Sequence, residues 1–300
     1  MHLSVLKNEV IEYLDPKPNE NFIDCTFGEG GHAIEILKRN GPRGKVLGIE
    51  IDRKLFEISK ERFKGLKRLI LVCDSYSNLK EIVKKEKFRK VSGVLFDLGL
   101  SSWHLEESKR GFTFRKNEPL IMSYSQNGKT AKDLINELSE KEICEILRKY
   151  GEERFAKKIA KEIVKERERK PIETTFQLVE IIKKATPIWY QRRKIHFATK
   201  TFQALRIAVN AELENLQKAL PQALEILEKG GRLVVISFHS LEDKIVKNFF
   251  KESEKEKQIK ILTKKPISPS RLEIKLNPRA RSAKLRAGEK TWKHNHSLSK

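Results

Sequence analysis

Short apolar runs alternate with amphipathic stretches over the first hundred positions of the chain. Asn21 to Thr26, Lys45 to Ile51, Leu69 to Cys73 and Val91 to Leu98 read as strands, and Gly31 to Arg39 and Arg53 to Lys64 read as helices. That order predicts an α/β sheet with parallel strands and right-handed crossovers. From about Lys109 to Lys200 the strand pattern disappears and amphipathic helices take over. Ser139-x-x-Glu142 and Thr174-x-x-Gln177 offer capping boxes, and Phe155, Ile159 and Ile163 recur at four-residue spacing. Beyond them Leu205, Val209, Leu213, Leu216 and Leu220 form one helical stripe that Pro221 restarts or kinks. Gly230-Gly231 ends it before a strand from Arg232 to Phe238. The pattern therefore predicts an α/β domain over 1–108 and 201–300, interrupted by an all-helical domain over 109–200. No internal repeat or low-complexity tract is visible.

Composition narrows the function classes. The 300 residues include 63 Lys and Arg against 41 Asp and Glu, a formal net charge of +22, and 38% of them are hydrophobic. That is enough apolar material for a sizeable core, which makes wholesale disorder implausible. No stretch reaches the roughly 20 apolar residues of a bilayer span, and the first residues carry acids where a signal peptide needs a basic start. The expectation is a soluble, cytoplasmic protein with no membrane partner. The excess charge is uneven, since residues 261–300 carry 11 Lys and Arg against two Glu, among them Arg279, Arg281, Lys284 and Arg286. Clustering of that sign suits a surface that neutralises phosphates, although a solvated end has the same composition. Cys25, Cys73 and Cys144 lie far apart, and His294-x-His296 sits in the basic tail, so neither a disulfide scaffold nor a metal site is expected.

Candidate chemistry begins at Phe22-Ile23-Asp24-Cys25-Thr26-Phe27-Gly28-Glu29-Gly30-Gly31-His32, where a strand runs into a glycine turn and a helix. Glycines let backbone approach a ligand, and the helix start offers free N–H groups. Glu50 ends the second strand 20 residues after Gly30, where a nucleotide-type fold places an acid on the ribose hydroxyls. A dinucleotide needs room for two phosphates, and Glu29 in the loop repels them, whereas S-adenosyl-L-methionine (SAM) carries a sulfonium and an amino group that tolerate carboxylates. Asp74-Ser75-Tyr76 after the third strand could hold adenine, by hydrogen bond and by stacking, with Asp74 equally a turn residue. Asp97-Leu98-Gly99-Leu100-Ser101-Ser102-Trp103-His104 leaves the fourth strand at the edge where such sheets bind ligands.

Six spaced motifs then carry a family resemblance. They are Asp24-x-Thr26-Phe27-Gly28-x-Gly30-Gly31-His32, Phe96-Asp97-Leu98-Gly99-x-Ser101-Ser102, Arg110-Gly111-Phe112-x-Phe114, Tyr150-Gly151-Glu152-Glu153-Arg154-Phe155-Ala156, Ala198 to Ile207 and Ile236 to Asp243. Together they resemble the RsmH/MraW family, over His2 to at least Arg286. The resemblance implies a Rossmann-like class I SAM-dependent methyltransferase sheet with an inserted helical substrate-recognition domain. It implies methyl transfer to the exocyclic N4 of a cytidine in the decoding centre of 16S ribosomal RNA, with the small ribosomal subunit as partner. It assigns Gly30, Gly31, His32, Glu50, Tyr76, Asp97 and His104 to the cofactor. The family usually has Phe at Tyr76 and Gln at His104, and commonly reads PLDMRMD where this chain has Pro119 to Ser125, so an acid and an Arg are lost there.

This chain lacks the Asp/Asn-Pro-Pro-aromatic motif of many amino methyltransferases, and Asp97-Leu98-Gly99 occupies the equivalent place, so Asp97 is the candidate catalytic residue, with Asp97 or a neighbouring backbone carbonyl as acceptor for the amino hydrogens. His196 and His239, beside Ser237 and Ser240, are substrate-side candidates with structural roles as the alternative, and Arg206 either contacts phosphate or faces solvent. Two other classes remain compatible with the pattern: a NAD-dependent Rossmann oxidoreductase and a non-catalytic RNA-binding ribosome-assembly factor. A homodimer is compatible with the sequence too.

Overall fold

The structure, a computed structural model, describes residues 4–125 and 128–291, so His294 and His296 lie outside the described residues. The chain forms two compact units, one of residues 1–99 and 213–300, the other of residues 100–212. The first unit opens with α1 (Lys7–Leu14), β1 (Asn21–Asp24), α2 (Gly31–Arg39), β2 (Val46–Glu50), α3 (Arg53–Arg62), β3 (Leu69–Cys73), α4 (Leu79–Lys85) and β4 (Val91–Asp97). The second unit is helical: α5 (Ser102–Glu106), α6 (Ala131–Glu137), α7 (Glu140–Gly151), α8 (Ala156–Arg167), α9 (Thr175–Ala185), α10 (Ile188–Gln191) and α11 (Thr199–Asn210). The chain then completes the first unit with α12 (Glu212–Ile226), β5 (Leu227–Ser237), α13 (Ser240–Lys255), β6 (Ile259–Ile261), α14 (Arg271–Leu276) and β7 (Lys284–Lys290). Residues 100–108 and 201–212, placed in the α/β domain from the sequence pattern, fold with the helical unit.

The seven strands lie in the order β3-β2-β1-β4-β5-β7-β6. The first five are parallel, and β7 runs antiparallel to both β5 and β6. Strands covered on both faces become almost wholly apolar, and β2 is buried at all five of its positions. One face packs Ile23, Leu47, Ile49, Val94 and Phe96 against α4, α12 and α13 through Leu79, Leu220 and Phe250. The other packs Phe22, Val46, Leu95 and Val234 against α1 and α2 through Val10, Ile36 and Leu37. The strand order reverses between β1 and β4, and so opens a crevice at their carboxyl ends. Among the described residues, no helix is long and apolar enough to cross a membrane.

The stripe from Leu205 to Leu220 is not one helix. The break falls at Ala211, in the left-handed region with φ 48°, and Pro221 sits inside α12 without ending it. Asn210 helps to hold the break, since its side-chain amide donates to the carbonyls of Met122 and Arg206. The glycine pair does not end a helix either, because β5 already starts at Leu227 and pairing with β4 resumes at Arg232 after an irregularity.

The larger departure is in the basic tail. Residues 284–290 are a buried strand, not a solvated segment. Arg286 Nε donates to Asp243 Oδ1 at 2.7 Å, and its Nη2 reaches Oδ2 at 3.2 Å. Lys290 is fully buried and donates to the carbonyls of Glu225 and Leu227, so part of the cationic excess serves the fold. Burial pushes the Asp243 carboxyl up, but the Arg286 guanidinium outweighs that and holds it below the ordinary range.

Inside the helical unit, α6, α7 and α9 each start with a capping box, at Thr130/Asp133, Ser139/Glu142 and Thr174/Gln177. Ile143, Leu147, Ile159, Ile163, Leu178 and Leu205 fill its core. Asp243→Ala would leave the Arg286 charge buried without its partner, so we expect about 3 kcal/mol of destabilisation in denaturant unfolding. A midpoint unchanged from wild type would show that Arg286 finds water in the folded state.

Candidate functional site

The parallel strands deliver Asp24, Glu50 and Asp97 to one edge of the sheet, since each is the last residue of β1, β2 or β4. Between Asp24 and α2 the chain makes a turn in which Gly28 and Gly30 adopt positive φ, 54° and 81°. A side chain at Gly30 is excluded twice over. Its Cβ would lie 2.6 Å from the Phe63 ring and 2.7 Å from the Phe27 ring, in a backbone conformation that L residues rarely adopt. Gly30 also caps α2, and so offers no side-chain cap to the first N–H groups of that helix.

Glu50 holds this turn. Its Oε2 accepts from Gly28 N at 2.9 Å, and its Oε1 accepts from Asp52 N at 2.8 Å. A carboxylate has about four acceptor positions, so two remain for hydroxyl donors of a ligand. Burial pushes the Glu50 carboxyl up to about 7, against the two backbone hydrogen bonds that favour its charged form. Asp24, wholly buried, is pushed up to about 6 by the same cause. Thr26 links β1 to β4, because its Oγ1 accepts from Asp97 N at 2.6 Å and donates to Asp24 Oδ1 at 3.5 Å.

His32, on the first turn of α2, places Nε2 3.3 Å from Asp97 Oδ2 while remaining buried. The approach lies off the N–H axis, so the contact is an ion pair without an aligned hydrogen bond. Neither ring nitrogen has a hydrogen-bond partner among the described residues. Burial lowers the imidazole pKa, but the Asp97 and Asp24 carboxylates outweigh it and raise the net value. A buried imidazole with an unmet nitrogen beside a glycine turn marks a place for a polar ligand.

Of the residues singled out from sequence, Gly30, Gly31, His32, Glu50 and Asp97 meet at this edge. Tyr76 follows β3 at the neighbouring strand end and packs edge-on against Phe96, with ring centroids 5.5 Å apart. Asp74 acts as a turn residue, its Oδ1 accepting from Ser75 N and Asn78 Nδ2. His104 belongs to the helical unit, where it is buried among Trp103, Phe112 and Tyr124, and its Nδ1 lies 2.7 Å from Ser101 Oγ.

The other polar candidates have structural partners. His239 caps α13 in a box with Glu242, and Arg206 makes a two-pronged pair with Glu212 at 2.8 and 2.9 Å, so it neither faces solvent nor stands open to phosphate. His196 is sandwiched between Phe114 and Phe197, and burial holds its pKa below the ordinary range. Asp24 and Thr26 are the site residues that sequence reasoning passed over. The signal for Asp24 was a lone acid closing an apolar strand.

Three buried or half-buried carboxylates at one sheet edge, two of them acting on the His32 imidazole, make the crevice electron-rich. It suits a ligand that brings cationic groups and hydroxyl donors, and it opposes a pair of phosphates. An adenosine bearing a sulfonium and an amino group has that chemistry. Glu50 and the glycine turn would face its ribose and backbone-contacting atoms, and Asp97 and His32 its charged end.

Comparison with known proteins gives a consistent result. The MraW methylase family profile matches residues 1–291. A protein of Thermosipho melanesiensis named ribosomal RNA small subunit methyltransferase H is 50% identical, over 96% of this chain and 97% of its own. Proteins of the same name from Clostridium botulinum and Thermosipho africanus are 45% and 47% identical over 96% of this chain, and over 98% and 97% of their own lengths.

The raised carboxyls set the pH behaviour of the ligand-free protein. Between its unfolded value of 4.5 and its folded value of about 7, Glu50 holds more proton in the folded state, so stability falls as pH rises through that window. Asp24 acts in the same direction between 3.8 and about 6. His32 adds to both, because a raised imidazole pKa gives stability at low pH that is lost as pH rises through the folded value. A shift of the Glu50 size corresponds to up to about 3 kcal/mol. Thermal midpoints measured from near pH 5 to near pH 8 should fall, and Glu50→Gln should flatten the decline. An identical slope in the variant would assign the effect to other groups.

Proposed function

The chain belongs to the MraW methylase family, and from that membership and the carboxylate-lined glycine turn we propose that it is a small-subunit ribosomal RNA methyltransferase. In this reading it uses SAM and methylates the exocyclic N4 of a cytidine in the decoding centre of 16S ribosomal RNA. The observation that carries the reading is the set of acids at one sheet edge, Asp24, Glu50 and Asp97, beside a turn only glycine can make. Relatives named ribosomal RNA small subunit methyltransferase H, at 45–50% identity over nearly their whole lengths, support the substrate class.

SAM supplies an activated methyl group, so the protein needs placement more than strong acid or base. Glu50, fixed by Gly28 N and Asp52 N, would accept from the ribose hydroxyls. Tyr76 would offer a ring to the adenine. Asp97 would do two things: balance the positive charge near the methyl, and accept a hydrogen of the cytosine amino group so that the nitrogen lone pair faces the methyl carbon. Bound SAM would supply the methyl group, the electron pair of its S–C bond remaining on sulfur, and Asp97 or water would take the amino proton. The helical unit and the cationic surface would hold the RNA, with the target base drawn from its stack.

The deciding experiment is incubation of the protein and labelled SAM with unmethylated small subunits, followed by mass mapping of the modified nucleoside. Label on N4 of one decoding-centre cytidine is the expected result. Label on another atom would overturn the assigned position, and no label with intact subunits would overturn the activity. Glu50→Ala should weaken SAM binding by roughly 10- to 150-fold, the worth of charged hydrogen bonds of about 1.5 to 3 kcal/mol. An unchanged dissociation constant would place the ribose elsewhere. Asp97→Ala should lose methyl transfer even at saturating SAM, and normal turnover would remove Asp97 from the reaction.

A further inference from the structure

Two large apolar side chains stand next to each other in water on the helical unit, Ile188 at 65% and Trp189 at 53% exposure. A half-exposed indole is a costly choice for a soluble surface, and here the fold enforces it. The next residue, Tyr190, points inward, and its hydroxyl donates to both oxygens of Glu153 at 2.8 and 3.0 Å. Glu153 is itself buried and also accepts from Phe155 N. Burial and Glu153 push the phenol pKa up, so Tyr190 remains a donor. Gln191 Nε2 ties the same turn to the carbonyls of Lys183 and Thr186. With Tyr190 and Gln191 fixed in a four-residue helical turn, Ile188 and Trp189 are left facing out.

The surroundings are cationic. The Arg154 guanidinium lies over the Trp189 ring, 5.4 Å from its centroid, and Arg193 lies 5.4 Å from the Tyr190 centroid. Phe155 packs edge-on to Trp189 at 5.8 Å and carries Lys158 at 6.0 Å. Among the described residues, no carboxylate comes within ion-pairing distance of Arg154, Arg193 or Lys194. Aromatic faces interleaved with unneutralised cations are what single-stranded nucleic acid requires, a ring for the base and charge for the flanking phosphates.

We infer that Trp189 is a stacking platform for an unpaired base of the RNA substrate, with Arg154 and Arg193 contacting the phosphates beside it. The inference rests on the RNA substrate proposed above and names where on the chain an unstacked nucleotide is held. A membrane surface fits less well, because α10 has four residues and too little apolar face to insert. A second copy would set these cations against a chain whose net charge is +22.

The test measures binding of the full chain to unmethylated small subunits over a range of salt. Trp189→Ala should bind roughly tenfold or more weakly, the worth of one stacked base, while Trp189→Phe recovers most of the affinity. The thermal midpoint and SAM affinity of the alanine variant report whether it is folded. The two sites should separate by salt: Trp189→Ala keeps the wild-type slope of log K against log salt, and Arg154→Ala reduces it by about one. Wild-type affinity in Trp189→Ala, or equal weakness in Trp189→Phe, overturns the platform. So does a change in sedimenting mass of Trp189→Ala, or a defect confined to binding of anionic phospholipid vesicles. Failure of the wild-type chain to bind subunits at all would instead overturn the proposed function.

Discussion

The parallel sheet brings acids together that water would otherwise keep apart. Asp24, Glu50 and Asp97 each close a largely apolar strand, and the register of β2-β1-β4 sets them along one edge. Burying carboxylates costs free energy unless hydrogen bonds or a counter-charge compensate. Glu50 is compensated by two backbone N–H groups, one of them from the glycine turn, and Asp97 by the His32 imidazole. Asp24 has the nearby His32 imidazole and hydrogen bonds from Thr26, but burial outweighs both and its carboxyl is raised. The crevice is left short of positive charge, and that shortage favours a ligand with cationic groups.

The same constraint explains why the turn needs glycine. If Gly30 carried a side chain, Phe27 and Phe63 would have to move, Gly28 N would shift from Glu50, and the carboxyl would lose a bond that favours its charged form. Backbone shape and charge state are therefore one feature. Ser59 reinforces it from α3 by donating to the Gly28 carbonyl, so the turn is held from β2 and α3 together.

Much of this was legible in the sequence because it depends on local periodicity. The first four strands and α2 and α3 fall where the apolar runs place them, within three residues at each end. Two kinds of information were not local. Lys284, Arg286 and Lys290 were counted as charges of a tail, yet Lys284-Leu285-Arg286-Ala287 alternates as a strand, and the partner that neutralises Arg286 is Asp243, 43 residues earlier. Ala211 gives no signal at all, since nothing about an alanine between apolar residues announces left-handed backbone; the surrounding contacts of Asn210 impose it. In the candidate site, the glycines and Glu50 stand out by spacing, whereas Asp24 is marked in sequence only as an acid closing a short strand, and its place beside Asp97 comes from the pairing of β1 with β4.

The pairing of His32 with Asp97 bears on how the proposed reaction disposes of its proton. The Asp97 carboxylate lies against an imidazole whose own pKa is raised. It remains a good hydrogen-bond acceptor. For an aromatic amine attacking a sulfonium methyl, that is the more useful property: the developing N-methyl cation is acidic enough to surrender its proton without a strong base, and the barrier lies in aligning the lone pair. In the proposed reaction the crevice would place its charge where the ligand is cationic at the start and where the amine becomes cationic on the way, and Asp97 at the end of β4 would serve both moments.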